Sequence, residues 1–403
     1  MLDRTDILIS GGGVAGLTAA AAFGSAGFNV ICVDPSPPVT ERDAEEADLR
    51  TTAFLQPAQD FLNRAGVWPL MAPESTPLAT MRIVDAGGGE PVARVSRDFE
   101  SRDVSDGPFG YNVPNWLIRR VLLERLKALP NVSFRPGVAT TRFLGRTAEA
   151  LATLSDGSRI SARLAIAADG RDSFIRKALG IAARRMEFGQ RALTFSVTHD
   201  TPHENVSTEI HRTGGPFTLV PLPDHEGKPC SAVVWMETEA NAQELLKLDT
   251  EAFEAAATAR SAGLFGVLRL ASRRTSWPII SQLADSFFGP RTAIVAEAAH
   301  VVPPIGAQGL NMSLADLSTL LDLATEDAET LGAESMLKRY QEARYGDVRT
   351  RVLGVSVLNR TSMADLGAVK DARALGIRAI HDIAPIRTSL MKLGMGRRRT
   401  SGS

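Results

Sequence analysis

The hydrophobic pattern of the chain opens with a short apolar run, a glycine-rich turn, an alanine-rich stretch and a second apolar run, all within residues 6–34. Short continuous apolar runs are typical of strands covered on both faces, and the stretch between them has the length of a helix. This succession predicts one parallel βαβ unit, whose second strand ends at Asp34.

Later segments show other periodicities. Residues 116–129 have apolar positions at helical spacing, and we expect Asn115, which precedes them, to cap that helix because Asn is a favoured N-cap. Residues 132–170 predict a strand, then a hairpin turned at Asp156–Gly157 whose second strand is buried. From about residue 182 to 237, β-rich segments alternate with turn residues, which predicts an antiparallel sheet in a second lobe.

Composition and charge exclude several classes of protein. The 403 residues are 44% hydrophobic and 23% charged, as in a globular protein with more than one lobe. A net charge of −1 disfavours nucleic acid as a partner. Cys32 and Cys230 are too few for a disulfide framework or a metal cluster. The chain starts without the pattern of a secretory signal and has no run of roughly 18 apolar residues, so we expect a cytoplasmic protein.

The first chemical motif is Gly11-x-Gly13-x-x-Gly16, which follows a strand and begins a helix. Such glycines let backbone N–H groups meet a pyrophosphate at the positive end of a helix, and Asp34 is placed to accept hydrogen bonds from a ribose. The motif predicts a dinucleotide site, and either NAD(P) or FAD satisfies it.

Two further motifs are consistent with such a site. Asp169-Gly170 ends a buried strand at the edge of the sheet where ligands bind in α/β folds, although Asp169 could also be an ordinary helix cap. Pro303, Pro304 and two nearby glycines precede a predicted helix and predict a rigid approach to exposed amide groups. A flat or anionic ligand is expected there.

Four segments occur in the order and spacing found in the class A flavoprotein monooxygenases: "GGGVAG", "DLRTTA", "AADGRDSFIRKALG" and "AEAAHVVPPIGAQGLNMSLAD". The chain most resembles the ubiquinone-biosynthesis hydroxylases of the UbiH type, and "ARALGIRAIHDIAPIRTSLMKLGMG" resembles their carboxyl-terminal end. The resemblance spans nearly the whole length. It implies an α/β fold of the p-hydroxybenzoate hydroxylase type, with a Rossmann-like FAD-binding domain, an antiparallel substrate sheet and C-terminal helices.

The resemblance also implies a division of the chain. The FAD-binding domain would comprise residues 1–75, 111–180 and 281–330, the substrate domain residues 76–110 and 181–280, and the C-terminal helical region residues 331–403. In that last region the chain has eight Lys or Arg and two Asp or Glu from Lys370 onward. This basic tail either contacts anionic lipid or is a solvated helix face and chain end.

Carried over to this sequence, the resemblance implies that the three motif glycines hold the FAD pyrophosphate, that Asp34 holds the adenosine ribose, and that Asp169-Gly170 serves both FAD and the pyridine nucleotide. Arg50 would lie near the flavin or be a surface charge, and Asn115 would meet the cofactor, cap its helix, or do both. The full set of implied FAD contacts is Gly11, Gly13, Ala15, Gly16, Asp34, Arg50, Asn115, Asp169, Gly170, Glu297, Gly306, Gly309, Leu310 and Asn311.

One position departs from the family pattern. Ala296-Glu297 stands where the family usually has Gly-Asp, whose aspartate binds the ribityl chain. Glu297 keeps the acceptor charge but is longer by one methylene, and Ala296 adds a methyl group where the backbone usually comes close. We therefore expect FAD binding with a changed ribityl geometry.

The chemistry is expected to belong to the flavin, so no catalytic triad is needed. Amides at the start of the helix near Gly306 would stabilise negative charge on reduced flavin, and Pro303 and Pro304 would wall a dry pocket. His300 is a pocket candidate or a structural hydrogen-bonding residue. Phe217 and Trp235 are weak candidates for a substrate wall, with the core of the sheet as the alternative.

The expected activity is reduction of FAD by NAD(P)H, followed by insertion of one atom of O2 into a phenolic ring. By resemblance the substrate is a polyprenylated phenol, reached at the inner face of a membrane or in a quinone-synthesis complex. The alternatives are a hydroxylase of a small phenolic acid and a catalytically idle FAD-binding subunit. A halogenase is disfavoured because the chain lacks a Trp-x-Trp-x-Ile-Pro motif.

Overall fold

A computed structural model describes residues 2–87, 92–212, 214–363 and 381–396. The predicted basic tail and the C-terminal segment that resembles the ubiquinone hydroxylases lie partly outside these described residues. No helix in the described ranges combines the length and the apolar character needed to cross a bilayer.

The strands are β1 Leu2–Ser10, β2 Val30–Asp34, β3 Thr51–Leu55, β4 Thr76–Leu78, β5 Thr80–Asp85, β6 Val95–Glu100, β7 Gly110–Pro114, β8 Val132–Pro136, β9 Thr140–Gly145, β10 Ala150–Leu154, β11 Arg159–Ala167, β12 Ala183–Thr198, β13 Val206–His211, β14 Pro216–His225, β15 Lys228–Thr238, β16 Arg269–Leu270, β17 Thr275–Ala284, β18 Phe288–Gly289, β19 Thr292–Ile294 and β20 His300–Val301. The α-helices are α1 Val14–Ser25, α2 Gln56–Arg64, α3 Trp68–Met71, α4 Asn115–Lys127, α5 Phe174–Ala178, α6 Glu239–Lys247, α7 Thr250–Arg260, α8 Ala296–Ala299, α9 Gln308–Glu326, α10 Glu334–Met363 and α11 Ala384–Met395. Short 3-10 turns occur at Ala72–Glu74, Ser101–Asp103 and Ala328–Thr330.

The first sheet contains the predicted βαβ unit. Its strand order is β18-β19-β11-β1-β2-β8, with the β9–β10 hairpin attached to β11. Strand β1 pairs in parallel with β2 and β11, and β19 pairs in parallel with β11. The alanine-rich face of α1 is fully buried, because small side chains let the helix lie close to the strands. The hairpin at Asp156–Gly157 is also present, with Gly157 at a φ of +84°.

The second sheet contains the predicted antiparallel strands, in the order β20-β17-β12-β15-β14-β13-β5-β6, with β16 on β12, and its β13–β5 pair is parallel. Its long strands alternate side chains between two faces. One face packs against α6 and α7 through a cluster that includes Phe195 and Phe253. The opposite face carries Ala192 and Met236 and meets Ile305 from the segment before α9. A single residue step along a strand therefore decides which environment a side chain enters.

The expected helix cap at Asn115 is wrong. Pro114 is the N-cap of α4, Asn115 is its first helical residue, and no side chain caps this end. The amide of Asn115 is instead engaged with residues of another segment: it accepts a hydrogen bond from Thr52 Oγ1 at 2.8 Å and donates one to Asp48 Oδ2 at 3.0 Å. Tertiary partners have displaced the local interaction that the sequence predicted.

Both cysteines are buried free thiols in the structure. Burial raises the pKa of Cys230 to about 11 and that of Cys32 further above its usual value. Both thiols are therefore protonated and unreactive at neutral pH.

Candidate cofactor site

Four predicted segments meet at the carboxyl-terminal edge of the first sheet. Ala168 N donates to Ser10 O at 2.8 Å, and Val295 N donates to Ala167 O at 3.1 Å, which joins the ends of β1, β11 and β19. Asp34 ends the neighbouring strand β2. The glycine turn, the Asp169-Gly170 motif and the Ala296-Glu297 segment therefore lie side by side where α/β folds bind ligands.

The three motif glycines have different reasons for lacking a side chain. A Cβ at Gly11 would lie 2.2 Å from Ala168 O, and one at Gly16 would lie 1.8 Å from Gly11 O. Close backbone packing therefore requires glycine at both positions. A Cβ at Gly13 would meet no protein atom within 4 Å. Gly13 is the N-cap of α1, without a side-chain cap and without an acidic residue in the first helical turn. The protein leaves this positive helix end open to an anionic ligand.

Asp34 lies beside this helix end. Its Oδ2 accepts a hydrogen bond from Gly12 N at 2.5 Å, and its Oδ1 accepts one from Ser36 N at 2.8 Å. These two backbone donors hold the carboxylate at the end of β2. A carboxylate fixed here has the placement that dinucleotide-binding folds use for a ribose.

Asp169 has a local structural role. Its Oδ1 accepts from Ser173 Oγ at 2.5 Å and its Oδ2 accepts from Ile175 N at 3.1 Å. Ser173, rather than Asp169, is the N-cap of α5 and accepts from Arg176 N. Gly170, at a φ of +82°, has open space where its Cβ would be. The carboxylate thus shapes the turn, and Gly170 provides the space beside it.

Arg50 is part of an ionic group rather than a solitary surface charge. Its Nε and one terminal nitrogen donate to the two oxygens of Asp48 at 2.8 and 2.7 Å, and its guanidinium lies 4.3 Å from the ring centre of Trp277 in the second sheet. Burial raises the pKa of Asp48, but the hydrogen bonds and charge of Arg50, the amide of Asn115 and the charge of Arg119 hold that pKa below its usual value. Asp48 stands in the quoted "DLRTTA" segment, yet the sequence assigned it no role.

The Ala296-Glu297 segment shows why its position favours glycine. Ala296 has a φ of +54°, a left-handed conformation that costs a residue with a Cβ about 1 kcal/mol. The side chain of Glu297 is 48% exposed and faces Arg171, with Nε–Oε2 and Nη2–Oε1 distances of 3.2 and 3.5 Å. Arg171 was not among the predicted site residues, and no sequence pattern pairs the two positions.

The amino-terminal end of α9 faces the third sheet, β3-β7-β4. Asn311 donates to Ala53 O at 2.7 Å and accepts from Leu55 N at 2.9 Å, so its side chain is used to hold β3. Gly309 has no protein atom within 4 Å of its Cβ position. Gly309 and Leu310 lie in the first turn, where N–H groups lack helical partners, and this turn contains no acidic residue. The end of α9 is a second place where open space meets a positive helix end.

The pocket candidates before α9 separate into different environments. Pro303 is buried, whereas Pro304 and Gly306 are exposed. His300 does not line a pocket: its side chain is 1% exposed, and its Nε2 lies 2.6 Å from Oδ2 of the fully buried Asp316. Asp316 Oδ1 accepts from Arg344 Nε at 2.7 Å. We refer to His300, Asp316 and Arg344 as the buried network, which gives His300 a structural role.

Phe217 and Trp235 are corrected from substrate wall to sheet core. Their rings pack together 5.4 Å apart on the face of the sheet that packs against α6 and α7, and Trp235 also packs against Phe253 of α7. The next residue, Met236, lies on the opposite face of the sheet. It packs in a cluster with Ala192 and with Ile305 of the segment before α9. The sequence placed the aromatic residues in the right strands, but it did not identify which face of the sheet they occupy.

Comparisons with known proteins identify the family of this chain. The family model described as "FAD binding domain" matches residues 4–352. The chain belongs to this FAD binding domain family. Ubiquinone hydroxylase UbiL of Rhodospirillum rubrum is 33% identical over 97% of this chain and 89% of its own length. The 3-demethoxyubiquinol 3-hydroxylase of Escherichia coli is 25% identical over 97% of this chain and 98% of its own length.

Solved structures of the same fold extend the family comparison. The p-nitrophenol 4-monooxygenase PnpA of Pseudomonas putida has a TM-score of 0.79 at 18% identity, covering 98% of this chain and all of PnpA. PqsL of Pseudomonas aeruginosa, in complex with 2-aminobenzoylacetate, has a TM-score of 0.75 at 21% identity and covers 93% of this chain. The FAD binding domain family thus accounts for the fold, and the chain is an FAD-dependent monooxygenase.

The residues present fit FAD. Open space at Gly13 and Gly170 lies beside a helix end without acidic side chains, and Asp34 ends the adjacent strand, as a bound dinucleotide requires. Open space at Gly309 marks a second positive helix end, which the side chain of Asn311 joins to β3. An elongated cofactor with an anionic centre and a flat, electron-accepting ring matches both places.

Proposed function

We propose that this protein hydroxylates the phenolic ring of an intermediate in ubiquinone biosynthesis, using FAD, O2 and NAD(P)H. The observation that carries the proposal is the similarity to ubiquinone hydroxylase UbiL, at 33% identity over 97% of this chain. The 3-demethoxyubiquinol 3-hydroxylase supports it over an equally complete length. The substrate class therefore rests on full-length relatives, while the site rests on the geometry described above.

Bound FAD supplies the electron transfer from NAD(P)H and the activation of O2. We propose that the glycine turn and Asp34 hold its adenosine and diphosphate half. Unpaired amides in the first turn of α9 would stabilise negative charge on the reduced ring, because the positive end of the helix dipole lies there. The protein thus positions the ring and stabilises its charge.

The substrate wall is proposed to be the face of the second sheet that meets the segment before α9. Ala192, Met236, Ile279 and Ile305 form its hydrophobic cluster. An apolar wall keeps water from the reacting oxygen and suits a ring that carries a hydrocarbon chain. Arg50, which stacks on Trp277, has its guanidinium already paired with Asp48, so it is poorly placed to bind a substrate carboxylate. This favours an apolar phenol over a small phenolic acid.

The test is hydroxylation by the FAD-loaded protein. A phenol with a short prenyl chain should accelerate NADH or NADPH oxidation and gain one oxygen atom from isotopically labelled O2, detected by mass spectrometry. A strain that lacks the protein should accumulate the unhydroxylated quinone precursor. Hydroxylation of only carboxylated, unprenylated phenols would favour the small-acid alternative. Failure of NADH and NADPH to reduce the bound flavin, with or without phenol, would favour the idle FAD-binding subunit.

We also propose peripheral contact with a membrane or a quinone-synthesis complex, because a prenylated phenol has to be taken from an apolar phase. Exposed apolar side chains on α10 and α11 support this: Leu353, Val357, Leu358, Leu390 and Leu393. Flotation with anionic vesicles measures the membrane contact, and protein that stays at the bottom of the gradient would argue against it.

The division into domains remains a proposal as well. The strands of residues 183–284 form the second sheet together with β5, β6 and the short β20, while the sheet that carries the glycine turn draws on the other proposed segments. The sheet membership supports an FAD-binding domain of residues 1–75, 111–180 and 281–330.

A further inference from the structure

We propose that Arg171 is a ligand of the FAD diphosphate and that Glu297 holds its guanidinium until the cofactor binds. Neither the family pattern nor the predicted site residues assign a role to Arg171. The inference rests on the FAD site described above, and it is independent of which aromatic ring is hydroxylated.

The backbone of Arg171 is held in place by two side chains. Its carbonyl oxygen accepts from Arg176 at 3.0 Å and from Gln282 Nε2 at 2.9 Å. Arg176 also donates to Ala298 O at 2.7 Å, which ties the same place to the segment that carries Glu297. Gly11 of the glycine turn packs directly against Ala168, which lies three residues before Arg171 in the chain.

The partner of Arg171 is easily exchanged. The two contacts with Glu297, at 3.2 and 3.5 Å, are longer than the 2.7–2.9 Å that is usual for charge-assisted hydrogen bonds. The side chains of Arg171 and Glu297 are 27% and 48% exposed, and such surface pairs contribute little stability. Arg50, by contrast, donates to both oxygens of Asp48 at short distances, and the side chain of Asp48 is only 7% exposed. Of these two arginines, Arg171 can change partner at the lower cost.

The space beside Arg171 suits a diphosphate. The Cβ positions of Gly13 and Gly170 meet no protein atom within 4 Å, and the first turn of α1 contains no acidic side chain. The planar guanidinium presents paired donors that match phosphate oxygens. An arginine that moves from one carboxylate to this open place satisfies its charge in both states.

The departure from the family pattern acquires a role in this scheme. Glu297 follows the left-handed Ala296, and its carboxylate contacts Arg171. With Arg171 on the diphosphate, the carboxylate of Glu297 would be free to accept a hydrogen bond from the ribityl chain. The glutamate then keeps the binding site charge-balanced before FAD arrives and contacts the cofactor afterwards.

The experiment measures the affinity of flavin-free protein for FAD and for ADP, which carries the diphosphate but no ribityl chain or flavin. Arg171→Gln should weaken both by a similar factor of about ten or more, the usual size for loss of a charged hydrogen bond. Glu297→Gln should tighten ADP several-fold, because it removes the competing carboxylate. Arg185→Gln is the matched control: Arg185 pairs with Glu187 and Asp172 nearby, so the same charge is removed from outside the site. It should change neither affinity by more than about twofold.

Unchanged ADP affinity in Arg171→Gln would overturn the diphosphate contact. If that variant lost affinity for FAD but not for ADP, Arg171 would contact the flavin half of the cofactor instead. Unchanged or weaker ADP binding in Glu297→Gln would overturn the exchange of partners. Thermal unfolding of each variant verifies that the fold is retained. None of these readouts depends on turnover, so a failure here and a failure of the proposed hydroxylation are distinguishable.

Discussion

Two ionic groups anchor the segment from Ala296 to Asp316, and they differ in burial. In the buried network, Asp316 is fully enclosed and is held by His300 at 2.6 Å and Arg344 at 2.7 Å. At the other end of the segment, the pair Arg171–Glu297 is partly exposed and has longer contacts. Burial therefore separates the roles of two similar ionic groups. The charges of the buried network are already paired with one another, whereas the exposed arginine can exchange its carboxylate for a ligand.

The electrostatics of the buried network follow from this enclosure. Burial raises the pKa of Asp316, but the charges and hydrogen bonds of His300 and Arg344 outweigh it and hold that pKa below its usual value. Burial also raises the pKa of the nearby Tyr340 well above its usual value. The network holds α9 against β20 and α10, so it supports the loop and helix end that face the proposed flavin ring.

The largest expected effect is on the buried network. Asp316→Asn should lower the free energy of unfolding by about 3–5 kcal/mol, because it leaves Arg344 buried without a full countercharge. Glu297→Gln, at the exposed pair, should change it by less than about 1 kcal/mol. Denaturant unfolding of the two variants measures both values. Equal losses would show that burial does not distinguish the two groups.

The same comparison has a pH dependence. A carboxyl with a lowered pKa in the folded state contributes stability above its unfolded pKa, and the contribution is lost as pH falls through the folded value. The free energies of unfolding of wild type and Asp316→Asn should therefore differ by about the same amount throughout pH 5–8. The difference should shrink when the pH falls below 3.8, the ordinary pKa of an aspartate. Denaturant unfolding at a series of pH values tests this, and a difference that disappears near pH 6 would contradict it.

The next effect concerns the open end of α1. Gly13→Val should lower FAD affinity at least about a hundredfold, about 2.7 kcal/mol, because its side chain would fill the place of the diphosphate. The fold should survive, since a Cβ at Gly13 meets no protein atom. Gly346→Val on α10 is the control, because its Cβ position is equally free. A yellow Gly13→Val protein with wild-type affinity would remove the proposed diphosphate contact.

The smallest effects compare two alanines with positive φ. Ala307, the N-cap of α9, is exposed at a φ of 55°, and Ala307→Gly should raise the free energy of unfolding by about 0.5–1 kcal/mol as strain is relieved. Ala296 is buried at a φ of 54°, so Ala296→Gly should gain less, since it also loses a buried methyl group worth about 0.8 kcal/mol. Thermal unfolding ranks the two. A larger gain at Ala296 would show that its methyl group is poorly packed.

Much of the fold was predictable because its signals are local. The strand–turn–helix unit, the hairpin at Gly157 and the antiparallel strands β12 to β15 of the second sheet each follow from periodicity and turn residues within a short stretch. The cap at Asn115 failed because Thr52 and Asp48, which are distant in the sequence, offer its amide better partners. The aromatic wall failed because a strand pattern does not say which face a ligand approaches.

The sequence by itself determined the glycine turn, the acid at the end of the next strand and the loop before α9, because each depends on residues a few positions apart. Only the tertiary structure decided which charges are enclosed and which are open. It packed His300 against Asp316 and Arg344, paired Arg50 with Asp48 and left Arg171 with the long side chain of Glu297. The physical reason is that charge interactions depend on distance and on solvent exposure, and both are set when remote segments pack together.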